Sequence, residues 1–284
     1  MCVNKPIAIF AFFYVFLILG CKTKFEKIRT SNNVSKKYQE ALRLYNKKDY
    51  GSALILFEDL HAQYRGRSES EDLAYYYAYS NYRVRDYYTA RELFKSFAET
   101  YPQSRRAEEC QYMTAYCMYL ESPRYSLDQQ NTYKALDYFQ LFITLYPRSN
   151  RVSEATRLMD LLRDKLENKS YHIALLYSDI RDYKSAVVAF RNCLRDYPDT
   201  KYAEEMEFLI VKNQFLYAQN SVENKQQERF EEVKEMYISF AEKYPNSKFI
   251  KLALQYHNDA DSAINTIQTL LSNYHKTEKK YHHE

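Results

Sequence analysis

One four-residue pattern occurs five times along this chain, and it restricts the fold more than any other feature. The pattern is a small residue, then an aromatic, a bulky residue and a tyrosine at offsets of 4, 7 and 11. The copies are Ala53/Phe57/Leu60/Tyr64, Ala90/Phe94/Phe97/Tyr101, Ala135/Phe139/Phe142/Tyr146, Ala186/Phe190/Cys193/Tyr197 and Val233/Tyr237/Phe240/Tyr244. These offsets keep four side chains on one stripe of an α-helix, so each copy reads as the buried face of a helix. One such helix cannot bury its stripe alone, whereas stacked neighbours build a continuous core. The expected fold is therefore all-α: a solenoid of about five tetratricopeptide-like helix-turn-helix repeats with one long connecting helix. With 3 glycines and 6 prolines in 284 residues, few positions suit tight β-turns, which agrees.

Four copies end in Tyr-Pro (Pro102, Pro147, Pro198, Pro245), and the first has Arg65 in that place. Proline stops a helix, and the Ser104, Ser149, Thr200 and Ser247 that follow are expected N-caps of the next one. Glu108, Glu109, Glu154, Glu204 and Glu205 then favour the positive end of the helix dipole. Lys48-Asp49-Tyr50, Arg85-Asp86-Tyr87 and Arg181-Asp182-Tyr183 mark the turn inside a helix pair. The partner helix shows Tyr38, Ala41, Leu42 and Tyr45 in repeat one and Tyr77-Ala78 in repeat two.

The closing tyrosines are 37, 45, 51 and 47 residues apart, longer than the tetratricopeptide period of about 34, so later repeats carry extensions. One extension fits a loop from Glu121 to Asn131, where Pro123 breaks the helix. The other, from Arg151 to Asp179, has no Pro or Gly, and Leu158, Leu161, Leu162, Leu166 and Ile173 keep helical spacing. It predicts one helix about 40 Å long at the usual rise, joining an N-terminal to a C-terminal group of repeats.

The N-terminus reads as an address. Ile7 to Leu19 is an apolar run of 13 residues after Lys5, followed by Gly20 and Cys21. A spanning helix needs about 20 apolar residues, so this run reads as a signal-peptide core. Leu17-Ile18-Leu19-Gly20-Cys21 resembles the bacterial lipobox, in which the cysteine is acylated and becomes the first mature residue. Two or more acyl chains give stable membrane anchoring. The expected organisation is a signal peptide at 1–20, a lipidated polar tether at 21–33, repeats one to three at 34–150, the long helix with repeats four and five at 151–260, and a helix end with a basic tail at 261–284.

Several functions are disfavoured. A net charge of +4 from 41 basic and 37 acidic residues spread along the chain argues against a nucleic-acid footprint. Three glycines cannot build a phosphate-binding loop, so no nucleotide cofactor is expected. The six histidines lack metal-site spacing, and His282-His283 reads as a solvated tail. Cys110 and Cys117, seven apart on one helix, lie too far apart for a disulfide, and Cys193 falls on the core stripe. No catalytic, cofactor or metal residue is assigned, and the chain is not read as an enzyme.

A lipobox followed by five such repeats, each closed by a Tyr-Pro-x-Ser/Thr step, resembles the BamD family of outer-membrane protein assembly lipoproteins over about residues 34 to 255. The most particular stretches are Glu121 to Asp128, Tyr183 to Thr200 and Ala218 to Tyr237. The resemblance implies a peripheral, lipid-anchored subunit of the machine that folds β-barrels into the outer membrane, facing the periplasm. Its implied partners are the barrel-forming subunit, through the C-terminal repeats, and unfolded outer-membrane proteins, whose C-terminal strand the N-terminal repeats receive. By repeat register, Arg43 and Lys47 on repeat one and Tyr75, Tyr79, Tyr82 and Arg83 on repeat two would line a peptide groove, the arginines suiting a terminal carboxylate. The same tyrosines would serve equally as packing between repeats. Lipoproteins of the same build for pilus assembly or cell-envelope coordination are the alternative.

Overall fold

The structure is a computed structural model that describes residues 24–63 and 70–281; Cys21, Tyr64 and the tail from His282 lie outside them. Twelve helices form among the described residues: α1 Lys24–Arg29, α2 Val34–Asn46, α3 Tyr50–Gln63, α4 Ser70–Arg83, α5 Tyr87–Thr100, α6 Ala107–Glu121, α7 Gln130–Leu145, α8 Val152–Asp179, α9 Tyr183–Asp196, α10 Ala203–Gln219, α11 Glu223–Lys243 and α12 Ile250–Tyr281. The pairs α2–α3, α4–α5, α6–α7 and α10–α11 are repeats one, two, three and five, and the C-terminal half of α8 with α9 is repeat four. α8 has 28 residues, about 42 Å at the helical rise, as the uninterrupted sequence requires.

Two compact units divide within α8, after Leu162, although the sequence places the boundary at 150/151. The N-terminal unit holds repeats one to three and the first part of α8, whose Ala155, Leu158, Met159 and Leu162 join its core. The C-terminal unit begins at Arg163 and takes in the loop segment Arg124–Leu127, which Lys169 holds by donating from Nζ to the carbonyls of Leu127 (2.9 Å) and Tyr125 (3.3 Å).

The repeated stripe is the core. Phe57, Phe94, Phe97, Phe139, Phe142, Phe190 and Phe240 are fully buried, and the small residues Ala53, Ala90, Ala135, Ala186 and Val233 let the partner helix approach. Cys110, Cys117 and Cys193 are buried free thiols. Tyr237 departs from the pattern: it is half-buried against His257, with ring centroids 4.8 Å apart. The closing tyrosines Tyr101, Tyr146, Tyr197 and Tyr244 are also half-buried, because each is the C-cap residue and leaves the stripe with a non-helical φ/ψ.

The turn inside repeats one, two and four has one construction. Lys48, Arg85 and Arg181 take φ of 63°, 68° and 65°, and the next residue's N–H returns to the carbonyl five positions back, a Schellman end. That next residue is Asp49, Asp86 or Asp182, whose carboxylate accepts from the backbone N–H of Ser52, Thr89 or Ser185 and caps the following helix. Two further expectations need correction. Ser104, Ser149, Thr200 and Ser247 do not cap the next helix, which starts three residues later; each accepts the N–H two residues on and so builds the turn before it. The polar tether is also partly helical, since α1 sets Phe25 against the repeat-one core and Asn33 caps α2.

Candidate peptide-binding face

The joints between repeats fix one aromatic platform on the first helix of each of four repeats. Tyr75, Tyr112, Tyr171 and Phe208 occupy one register position on α4, α6, α8 and α10, and each receives the residue five places after a closing tyrosine. Arg106 lies over Tyr75 at 4.4 Å and Arg151 over Tyr112 at 4.6 Å. Tyr202 stacks on Tyr171 at 4.4 Å and Phe249 on Phe208 at 4.6 Å. One turn before three of these platforms a glutamate accepts the joint's hydroxyl at 2.6 Å: Glu71 from Ser104, Glu167 from Thr200 and Glu204 from Ser247. The joint motif is thus Tyr-Pro-x-Ser/Thr-x-(Arg or aromatic), with arginine in the N-terminal unit and a ring in the C-terminal unit.

In the N-terminal unit the platform tyrosines start a longer row. Tyr75, Tyr79 and Tyr82 on α4 recur 37 residues later as Tyr112, Tyr116 and Tyr119 on α6, both at i, i+4, i+7. Ring centroids are 4.7 Å apart for Tyr75–Tyr79, 6.2 Å for Tyr79–Tyr82, and 5.9 Å for both Tyr112–Tyr116 and Tyr116–Tyr119. Tyr82–Tyr116, at 6.4 Å, bridges the two helices. Tyr76 continues the network from Tyr75 to Tyr45 of repeat one. Tyr79 and Tyr112 are buried, whereas Tyr75, Tyr82, Tyr116 and Tyr119 keep an accessible edge. Packing and presentation are therefore divided among neighbouring residues of one row.

The electrostatics of the face come from its cations. Burial raises the phenol pKa values of Tyr75, Tyr79, Tyr82 and Tyr112, and Tyr79 is raised further by donating to Glu109 Oε1 at 2.5 Å. All four are neutral hydrogen-bonding groups near pH 7. Glu109 also accepts from Arg151 at 3.0 Å, and Arg106 pairs with Asp72. Arg83 lies 5.6 Å from the Tyr82 ring and 5.9 Å from the Tyr50 ring, and among the described residues it bonds no carboxylate.

Of the residues expected from sequence, Tyr75, Tyr79, Tyr82 and Arg83 are brought together. Arg43 is held by Glu40 of its own helix, with Nε donating at 2.6 Å, and Lys47 is the C-cap of α2. Tyr116, Tyr119, Arg106 and Arg151 were missed; the 37-residue register and the shared joint position would have found them.

The sequence itself matches the model of a family described as YfiO, outer membrane lipoprotein, over residues 30–229. The chain belongs to the YfiO family of outer-membrane lipoproteins. This YfiO-family chain is 23% identical over 234 residues to the outer membrane protein assembly factor BamD of Rickettsia prowazekii, covering 82% of this chain and 89% of that protein. Similar solved structures include the apo form of RapI, 13% identical with a TM-score of 0.39 over 83% of this chain and 99% of that one. Another is the tetratricopeptide protein TTC0263 of Thermus thermophilus, 16% identical with a TM-score of 0.31 over 80% of this chain and 98% of that one. Among the described residues no helix is long and apolar enough to cross a membrane.

Proposed function

We propose that this chain is a lipid-anchored, non-catalytic scaffold subunit of the machinery that folds β-barrels into the outer membrane. It docks through its C-terminal repeats on the periplasmic domains of the barrel-forming subunit, and receives unfolded outer-membrane proteins on the tyrosine face of repeats two and three. Family membership and the Rickettsia prowazekii assembly factor support the assembly role. The observation that carries the substrate role is the ring network from Tyr75 to Tyr119 with Arg83 over Tyr82 and bonded to no described carboxylate. Accessible ring edges take an extended chain's aromatic side chains, neutral phenols meet its peptide groups, and a guanidinium takes a terminal carboxylate.

Fluorescence anisotropy with a synthetic peptide ending in a phenylalanine carboxylate tests this. Arg83→Glu and Tyr116→Ala are each expected to weaken binding by about tenfold, near 1.4 kcal/mol, measured well below the melting transition of each variant. Amidating the peptide should remove the Arg83 effect. Arg43→Glu should cost less, because Glu40 already engages that guanidinium. Unchanged affinity in Arg83→Glu and Tyr116→Ala would remove the face from substrate binding. Anchoring is assigned to acylated Cys21, which lies outside the described residues: Cys21→Ala should move the protein from the membrane pellet to the soluble fraction, and continued pelleting would contradict it.

A further inference from the structure

The first, or inner, helices of the repeats (α2, α4, α6, α8 and α10, each followed by an outer second helix) share a second register position, and one repeat fills it unlike the others. The row lies two, five and six residues after each platform aromatic. In repeat two it is Tyr77, Ser80 and Asn81. Tyr77 packs against the repeat-one core, its ring 5.2 Å from that of His61 on α3, while Ser80 and Asn81 are 0% and 3% exposed. In repeat three it is Thr114, Cys117 and Met118, at most 4% exposed, on the helix that α5 packs against. In repeat five it is Ile210, Asn213 and Gln214, again at most 4% exposed, on the helix that α9 packs against. In these three rows, each preceded by an outer helix, the polar Ser80, Asn81, Thr114, Asn213 and Gln214 are buried, and Tyr77 is half-buried.

Repeat four is the exception. Its row is Ile173, Leu176 and Tyr177, which are 42%, 56% and 36% exposed, and Ile180 one turn on is 62% exposed. Within the C-terminal unit no outer helix precedes α8. The most apolar of these rows is therefore the open one. Repeat one, at the start of the array, shows how this chain treats such a row at a true end: Glu40 and exposed Arg43 form an ion pair there, and the third residue, Leu44, is buried. Terminal repeats need a polar outer face for solubility, and repeat one supplies it. A contiguous exposed apolar stripe at i, i+3, i+4, i+7 marks an interaction surface.

We propose that Ile173, Leu176, Tyr177 and Ile180 form a docking face for an amphipathic α-helix of a partner protein, which lies along α8 as α3 lies along α4 and completes repeat four. The occupant follows from continuity with the interfaces inside the array, where the helix beside this row bears a small residue with an aromatic four and a bulky residue seven places later: α3 beside α4, α5 beside α6 and α9 beside α10. On α3 these are Ala53, Phe57 and Leu60, which share one core with Tyr77 of the row. The partner helix carries the same three-residue stripe. The Tyr125 ring, stacked on His172 at 4.7 Å, holds the loop segment Arg124–Leu127 on the same helix. This inference does not rest on the tyrosine face: it concerns the other unit and a helical rather than an extended ligand.

The test uses the full mature chain in detergent and, as probe, a fluorescent synthetic peptide of residues 49–63, which covers the equivalent row in repeat two. Saturable binding is expected, weakened about tenfold or more by Leu176→Lys in the protein or Phe57→Ala in the peptide, and retained in Leu176→Met. The melting temperature of Leu176→Lys should match that of the parent, because the residue is exposed and a cation suits the last turn of α8. Equal binding to Leu176→Lys, or no saturation up to about 1 mM peptide, would overturn the proposal. A lowered melting temperature for Leu176→Lys would show that the chain covers this row itself, and a dimer abolished by Leu176→Lys in sedimentation would show that a second copy does; either result overturns the assignment to a partner helix. None of these outcomes bears on whether the chain joins the assembly machinery.

Discussion

Tyr79 and its neighbours show how much one side chain can do within a register. Its ring is buried between Phe94 and Tyr75, and its hydroxyl is committed to Glu109, so it holds α4 against α6 while Tyr75 and Tyr82 on either side keep open edges. Tyr45 sits in the same network with its pKa pushed up to about 12, first by burial and then by neighbouring phenols. An unfolded tyrosine ionises near pH 10, so above that pH the unfolded state releases a proton that the folded state retains. Stability is thus full below about pH 10 and declines towards pH 12, and Tyr45→Phe should flatten that decline in alkaline urea titrations. A second residue-scale prediction concerns Arg85 at φ 68°, a conformation that costs a side chain about 1 kcal/mol. Arg85→Gly is expected to stabilise the protein by about 0.5–1 kcal/mol in urea unfolding. The stripe residues were legible in the sequence because their spacing is local. The platform pairs were not, since Arg106 meets Tyr75 and Phe249 meets Phe208 across 31 and 41 residues of irregular spacing.

Each helix pair is defined by what stops the chain as much as by what it buries. The fused Schellman end and aspartate cap reads directly as Lys/Arg-Asp-Tyr, so this turn was visible in three repeats. The step between repeats was half visible. Proline marked the stop, but the hydroxyl proved to serve the turn and the preceding repeat's glutamate instead of the next helix. Ser104→Ala therefore removes a bond to Glu71 as well as a turn contact, and should cost about 1–2 kcal/mol in thermal or urea unfolding. Phe139→Ala opens a cavity in the fully buried stripe of α7 and should cost about 3–5 kcal/mol. An unchanged melt in that variant would show that the repeat register is misplaced. Spacing also gave the length of α8, but not which of its apolar residues are covered: Leu158, Leu162 and Leu166 are buried, whereas Leu161 and Ile173 are exposed. Burial on a shared helix depends on which neighbours each half has, and a local pattern does not carry that.

For the molecule as a whole, the five-repeat architecture and the family were both within reach of the sequence, because a solenoid repeats its local rules. The partition into two units after Leu162 was not, since α8 is continuous in backbone and in pattern across it. The proposed assembly role joins a tyrosine and arginine face in the N-terminal unit, docking through the C-terminal repeats, and an acylated N-terminus. The most direct test is affinity purification of the intact lipoprotein from detergent-solubilised outer membranes, with identification of what copurifies. Recovery of a large β-barrel protein with tandem periplasmic domains is expected, retained in Arg83→Glu; recovery of pilus or cell-wall proteins without any such barrel would contradict the assembly role while leaving the fold as described.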